Sequence, residues 1–200
     1  MIININKLLN PIKVVEPWTY YVVDDVLNYD FSNELKFIFD DDAYFQLIGE
    51  MTFFKSMILE RYDPIRMKYQ DSSTPQIRVH WQIEPPYLEK EIHMDHSTKL
   101  WTCVIYCYGE DGTLLYDQNK QMHTKVEWRQ NRAIIFCPGL ATHGSEHTWH
   151  QIVNTTSNYR RVITLNITSN NDNMPIKTPT MSWRSKDESN LKLLYKPPVK

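Results

Sequence analysis

His93 and Asp95, two residues apart, are the first chemical signal in this 200-residue chain. In an extended segment, residues i and i+2 leave the same face, so an imidazole and a carboxylate at this spacing can meet one ion. A second imidazole from a later strand would complete a 2-His-1-carboxylate facial triad, which holds non-haem Fe(II) and leaves three coordination positions open. Of the seven His, three stand downstream as candidates for that role: His143, His147 and His150. His-x-Asp alone is a weak signal, because surface turns also contain it.

The elements around these residues read as strands. From Pro75 onward the apolar period is two, and candidate strands run over 76–83, 90–95, 100–108, 113–116, 124–128, 133–137, 148–153 and 160–168. Turn clusters such as Glu110-Asp111-Gly112 and Gln130-Asn131-Arg132 separate them. About eight short strands at this spacing suggest an all-β barrel or jelly roll. The first third reads differently. Residues 1–16 show no long periodic pattern, TYYVV at 19–23 is a short strand, Ser32 can cap a helix over 33–39, and 43–62 has helical spacing. The apolar side of that second helix is expected to carry Phe45, Ile48, Phe53, Met57 and Ile58. The expected organisation is one domain over 1–200, with an N-terminal strand and helices at 17–70, a β core at 75–168 and a polar extension at 169–200.

Composition narrows the function classes. Lys+Arg number 22 and Asp+Glu 24, a formal charge of −2, so electrostatics make no case for nucleic acid or an anionic membrane. Hydrophobic content of 42% with 23% charged residues suits a folded globular chain. The longest mostly apolar stretch, 100–108, is far short of the about 20 residues that span a bilayer. MIININKLLNPIK has neither an apolar h-region nor a small-residue cleavage site, so the expected location is cytoplasmic. Cys103, Cys107 and Cys137 form no CxxC pair and read as buried small apolar residues. With five Gly and no GxGxxG or GxxxxGK, a phosphate loop is not expected.

Longer stretches carry a family resemblance. IHMDHSTKLWTCVIYCYGEDGTLLYD resembles the His-x-Asp region of Fe(II)- and 2-oxoglutarate-dependent oxygenases, with His93, Asp95, Lys99, the strand 102–106, Gly112-Thr113 and Tyr116 in family order. NRAIIF is similar to a later family strand, HQIVNTTSNYRRVITLNI to the last two, and EPWTYYVVDDVL to the entry strand, so the likeness extends over about 16–168. It implies a mainly β (α+β) fold, the double-stranded β-helix or jelly roll, with N-terminal helices packed on one sheet. The cofactors it implies are Fe(II), 2-oxoglutarate as cosubstrate and O₂.

By the same resemblance, His93 and Asp95 are metal ligands and the third ligand is the His preceding the final Arg-bearing strand. His150 lies ten residues before Arg160, the family spacing, and is favoured; His143, in a His-Gly pair, and His147 remain alternatives. Arg160 is expected to pair with the distal carboxylate of 2-oxoglutarate, assisted by the Tyr106 hydroxyl. With Arg160 facing inward, Val162, Thr164 and Asn166 share its face, Ile163, Leu165 and Ile167 form the apolar face against the helices, and Arg161 is a surface charge. Arg78 is a weaker candidate, His96 a neighbour of the triad, and His80 and His123 carry no motif. Trp81, Trp101 and Trp149 read as core or pocket wall.

The activity implied is hydroxylation of an unactivated C–H bond in a peptide residue or small metabolite, with release of succinate and CO₂. Asp95 counts against the halogenase variant, in which a small residue replaces the carboxylate. Two other readings are a catalytically idle jelly-roll binding or structural domain, and a cupin-type metalloenzyme, whose His-x-His…Glu spacing is absent.

Overall fold

Aromatic and β-branched residues of two short N-terminal strands and of most of the chain after Pro75 pair into two antiparallel sheets in a computed structural model that describes residues 1–29, 31, 41–62, 75–95, 98–138 and 147–168. The elements in chain order are α1 (Ile5–Leu9), β1 (Ile12–Val14), β2 (Tyr20–Asp24), α2 (Asp41–Tyr62), β3 (Gln76–Glu84), β4 (Leu88–Glu89), β5 (Lys99–Tyr108), β6 (Thr113–Tyr116), β7 (Met122–Val126), β8 (Arg132–Phe136), β9 (His150–Asn154) and β10 (Arg160–Thr168). One sheet has the order β1-β2-β8-β5-β10-β3 and the other β4-β9-β6-β7. With N-terminal helices packed against the larger sheet, this is a double-stranded β-helix. The expected helix over 33–39 and the segment 169–200 lie outside the described residues.

Strand parity divides the interior in two. Val162 of β10 points between the sheets, where Trp18, Tyr20, Tyr106, Leu115, Val126, Ile134 and Phe136 form one apolar cluster. The alternate residues Ile163, Leu165 and Ile167 join Cys103 and Ile105 of β5 in a second cluster against the helices. Each of those three β10 side chains contributes about 1.5–3 kcal/mol by leaving water. The polar members of the first face, Thr164 and Asn166, are also buried, which places hydrogen-bonding groups inside the barrel.

Helix α2 buries Ile58 and part of Ile48 as expected, but not Phe45, Phe53 or Met57. Leu47, Met51, Phe54, Ile58, Leu59 and Tyr62 are buried, and Ile48 is partly buried against the same cluster, whereas Phe45, Phe53 and Met57 are exposed. The helix is apolar over more than one stripe, so period alone could not select the buried one; contact with β3 and β5 does. Its middle and its C-terminal turn are tied to the N-terminal segment. The Glu50 carboxylate accepts the amides of Ile2 and Ile3 at 2.8 Å each, and Arg61 Nε donates to the Leu9 carbonyl at 2.9 Å.

Residues 90–95 do not form the expected regular strand. Leu88 and Glu89 pair with Asn154 and Val153, and the Lys90 amide still reaches the Ile152 carbonyl at 3.1 Å. His93 then pairs with His150, so two residues, Glu91 and Ile92, oppose Gln151 alone. Such an extra residue bends a strand and re-aims the side chains beyond it. No helix among the described residues is long and apolar enough to cross a membrane.

Candidate metal centre

His93 and His150 exchange main-chain hydrogen bonds, His93 N to His150 O at 3.0 Å and His150 N to His93 O at 2.9 Å. This isolated bridge brings their rings to a centroid distance of 4.4 Å. Asp95, two residues beyond His93, joins them: each of the three residues offers one ligand atom, and those atoms lie within 4.8 Å of one another. His93 and Asp95 are half-buried and His150 is buried, with the Phe136 ring 5.0 Å from its imidazole.

The donor set suits a divalent transition metal. His93 Nδ1 lies 2.9 Å from the Glu91 carbonyl, and His150 Nδ1 lies 2.9 Å from the Thr148 carbonyl. A carbonyl can only accept, so both Nδ1 atoms carry the proton and both Nε2 lone pairs are left for a metal. Burial pushes the His150 imidazole down to about 4, against the opposing pull of the Asp95 charge, so this ring is neutral at physiological pH. Burial also disfavours the Asp95 carboxylate, but Lys99, His150 and the hydrogen bonds from Lys99 and Thr102 outweigh it and hold its pKa below the usual value. An ionised Asp95 carboxylate beside a neutral His150 imidazole is therefore the resting state.

Asp95 is held from both sides. Lys99 Nζ pairs with Oδ1 at 2.6 Å, and Thr102 Oγ1 donates to Oδ2 at 3.0 Å. Thr102 Oγ1 also lies 2.9 Å from the Asn166 side-chain oxygen. A hydroxyl has a single proton, so with Asp95 accepting it the Asn166 amide must turn its NH₂ toward Thr102. Lys99, Thr102 and Asn166 come from β5 and β10, so the larger sheet orients a carboxylate carried by the loop after β4.

Arg160 is wholly buried, at 0% exposure. Its Nε donates to the Asp111 carbonyl at 2.9 Å, its Nη1 donates to the Glu84 carboxylate, and its Nη2 has no partner among the described residues. Its guanidinium carbon lies 5.3 Å from the centre of the Tyr106 ring. The Tyr106 hydroxyl, also buried, donates to Thr113 Oγ1 at 2.8 Å, and burial raises its pKa. Gly109, at φ +134°, makes room for this arginine: a Cβ there would sit 3.1 Å from Arg160 Cγ and 3.3 Å from its Cα. Arg161 is half-buried with its guanidinium 5.5 Å from the Tyr108 ring.

The remaining candidates fall elsewhere. His147 is exposed and stacks on Trp149 at 6.5 Å, and Lys120 lies 4.0 Å from the centre of the Trp149 ring. His143 and His96 lie outside the described residues. His123 is exposed, and Trp101 is fully buried in the helix-side core. Arg78 stands opposite Asn166 on β3, and His80 opposite Thr164. Burial and the charges of Lys99 and Arg78 lower the His80 pKa. Sequence reasoning missed Glu84, because only the β3–β10 register sets it opposite Arg160, and it missed Lys90, the second partner of Glu84.

Solved structures share this fold. A prolyl-4-hydroxylase from Pseudomonas putida superposes with a TM-score of 0.54 at 15% identity, over 77% of this chain and 87% of that one. A prolyl 4-hydroxylase from Phytophthora capsici superposes with a TM-score of 0.52, also at 15% identity, over 85% of this chain and 67% of that one. Neither a protein-family model nor a curated protein matches the sequence.

Proposed function

On a fold and a His-Asp-His triad that match the Fe(II)- and 2-oxoglutarate-dependent oxygenases at superfamily level, we propose that this chain is an oxygenase of that type. Its reaction is hydroxylation of an unactivated C–H bond with release of succinate and CO₂. The observation that carries the reading is the cluster of His93, Asp95 and His150, with both Nε2 atoms free of competing hydrogen bonds among the described residues.

In this reading His93 Nε2, His150 Nε2 and an Asp95 oxygen hold Fe(II). The bound metal supplies the activation of O₂ that couples decarboxylation of 2-oxoglutarate to oxidation of the substrate. The protein contributes orientation. The two main-chain carbonyls fix the imidazole tautomers, and Lys99 and Thr102 keep Asp95 ionised and aimed. Arg160, its guanidinium carbon 5.3 Å from the centre of the Tyr106 ring, anchors the distal carboxylate of 2-oxoglutarate through Nη2, which has no partner among the described residues, and the Tyr106 hydroxyl assists. Apolar walls from Phe136, Leu115 and Val162 exclude water from the space between sheets.

The substrate is a peptide residue or a small metabolite. Since the two structures described above are prolyl 4-hydroxylases, proline-containing peptides are the first class to test. Cys103 and Cys107, buried thiols, suit a reducing, cytoplasmic setting. The deciding experiment loads the protein with Fe(II) and 2-oxoglutarate without oxygen, then admits O₂ and measures succinate. Iron-dependent succinate supports the reading, and its absence with and without candidate peptides returns the chain to the idle jelly-roll alternative.

A further inference from the structure

We propose that Glu84 sets the affinity and selectivity of the dicarboxylate site, as an internal carboxylate already seated on the arginine that would receive the ligand. The proposal rests on the reading of Arg160 as a carboxylate anchor. Glu84 is the last residue of β3, directly across from Arg160, the first of β10. It is 2% exposed, and it bridges two cations: Oε2 accepts from Arg160 Nη1, and Oε1 pairs with Lys90 Nζ at 2.8 Å.

A free guanidinium offers a carboxylate two parallel N–H bonds. Here that fork is divided. Nε is committed to the Asp111 carbonyl and Nη1 to Glu84, and Nη2, although buried, is left without a partner among the described residues. A buried unpaired donor is costly, and an entering carboxylate relieves that cost. The charges sum in the same sense: Arg160 and Lys90 against Glu84 leave one net positive charge, enough for one further carboxylate but not for a strongly attractive site. An incoming carboxylate therefore binds end-on at Nη2, or takes Nη1 as Glu84 shifts its weight to Lys90. Either way it competes with Glu84, and the competition lowers affinity for any dicarboxylate that cannot also make a second contact at the metal.

The test is binding rather than turnover. Isothermal titration of 2-oxoglutarate into Mn(II)-loaded protein, and ligand-observed NMR of glutarate with metal-free protein, are run on the parent, Glu84→Gln and Glu84→Asp. Glu84→Gln keeps a hydrogen-bond acceptor for Arg160 but removes the competing charge, and Glu84→Asp keeps the charge but retracts it by one methylene. The expected result is tighter binding, by about tenfold for Glu84→Gln, with a proportionally larger gain for glutarate. A gain of affinity is not what a merely structural residue would show on substitution, and Glu84→Asp decides the matter should Glu84→Gln fail to fold. Unchanged or weaker binding in the folded variants overturns the proposal. If the parent binds 2-oxoglutarate and the variants bind no better, only the role of Glu84 falls. If the parent does not bind and a variant does, Glu84 is the occupant of the site. If none binds, both readings fall.

Discussion

His93 and His150 hold each other by both main-chain amides, so the segment after β4 and the start of β9 are pinned together at the residues whose imidazoles meet. Side-chain rotation alone then decides the ring positions, and each ring is locked by a carbonyl two residues upstream, Glu91 for His93 and Thr148 for His150. Two rings 4.4 Å apart would repel if both were charged, and the depressed pKa of His150 avoids this.

The first prediction concerns metal stoichiometry. Fe(II) or Mn(II) should bind at one per chain, and His93→Ala, Asp95→Ala and His150→Ala should each remove it, because each breaks the facial set. His147→Ala should leave it in place, since that ring stacks on Trp149 instead. Metal analysis after gel filtration checks this, and full occupancy in Asp95→Ala would sink the assignment.

His143 and His150 can be separated by turnover. Iron-dependent succinate formation should vanish in His150→Ala and persist in His143→Ala. The reversed pattern would transfer the third position to His143.

Acid should destabilise the metal-free protein earlier than carboxylate titration alone would. The folded pKa of His150, about 4, lies below the usual value of 6.5, so between those values the unfolded chain binds the extra proton and stability rises with pH. Asp95, lowered in the fold, acts in the same direction further into acid. From pH 7 to pH 5 the His150 contribution should fall by about 2 kcal/mol. Urea unfolding at the two pH values should show this loss, and His150→Gln should flatten it.

Arg160→Ala should raise the 2-oxoglutarate requirement well over tenfold, since losing a buried partner of a carboxylate costs about 2–5 kcal/mol. Metal binding should survive, because Arg160 is not among the ligand cluster. Arg161→Ala should change the requirement little, its guanidinium lying over the Tyr108 ring on the other face of the strand. Titration of 2-oxoglutarate against both variants checks the pair, and a large effect confined to Arg161→Ala would reverse the assignment.

Gly112→Ala tests the turn that leads into β6. A Cβ there would lie 1.7 Å from the Val126 carbonyl oxygen, a main-chain atom of β7 that cannot rotate away. The expected cost is about 3 kcal/mol, seen as a lowered melting temperature. An unchanged melting temperature would mean that the β6–β7 pairing is looser than its register implies.

What this sequence determined by itself is local. The two-residue spacing of His93 and Asp95, and the alternation along β10 that separates Val162 from Ile163, follow from the period of an extended chain and need no partner strand. Strand spacing pointed to an all-β barrel or jelly roll, and the resemblance of the ordered stretches to the oxygenase family implied the double-stranded β-helix. What only the tertiary structure decided is non-local. The pairing that extends Glu91-Ile92 opposite Gln151 and sets His93 against His150 is a matter of register between segments some 60 residues apart. Which stripe of α2 is buried depended on the sheet beneath it, and the carboxylate of Glu84 reached Arg160 only through the β3–β10 ladder. Register is chosen by the sum of many cross-strand contacts rather than by any residue's own preference, so no local pattern can encode it.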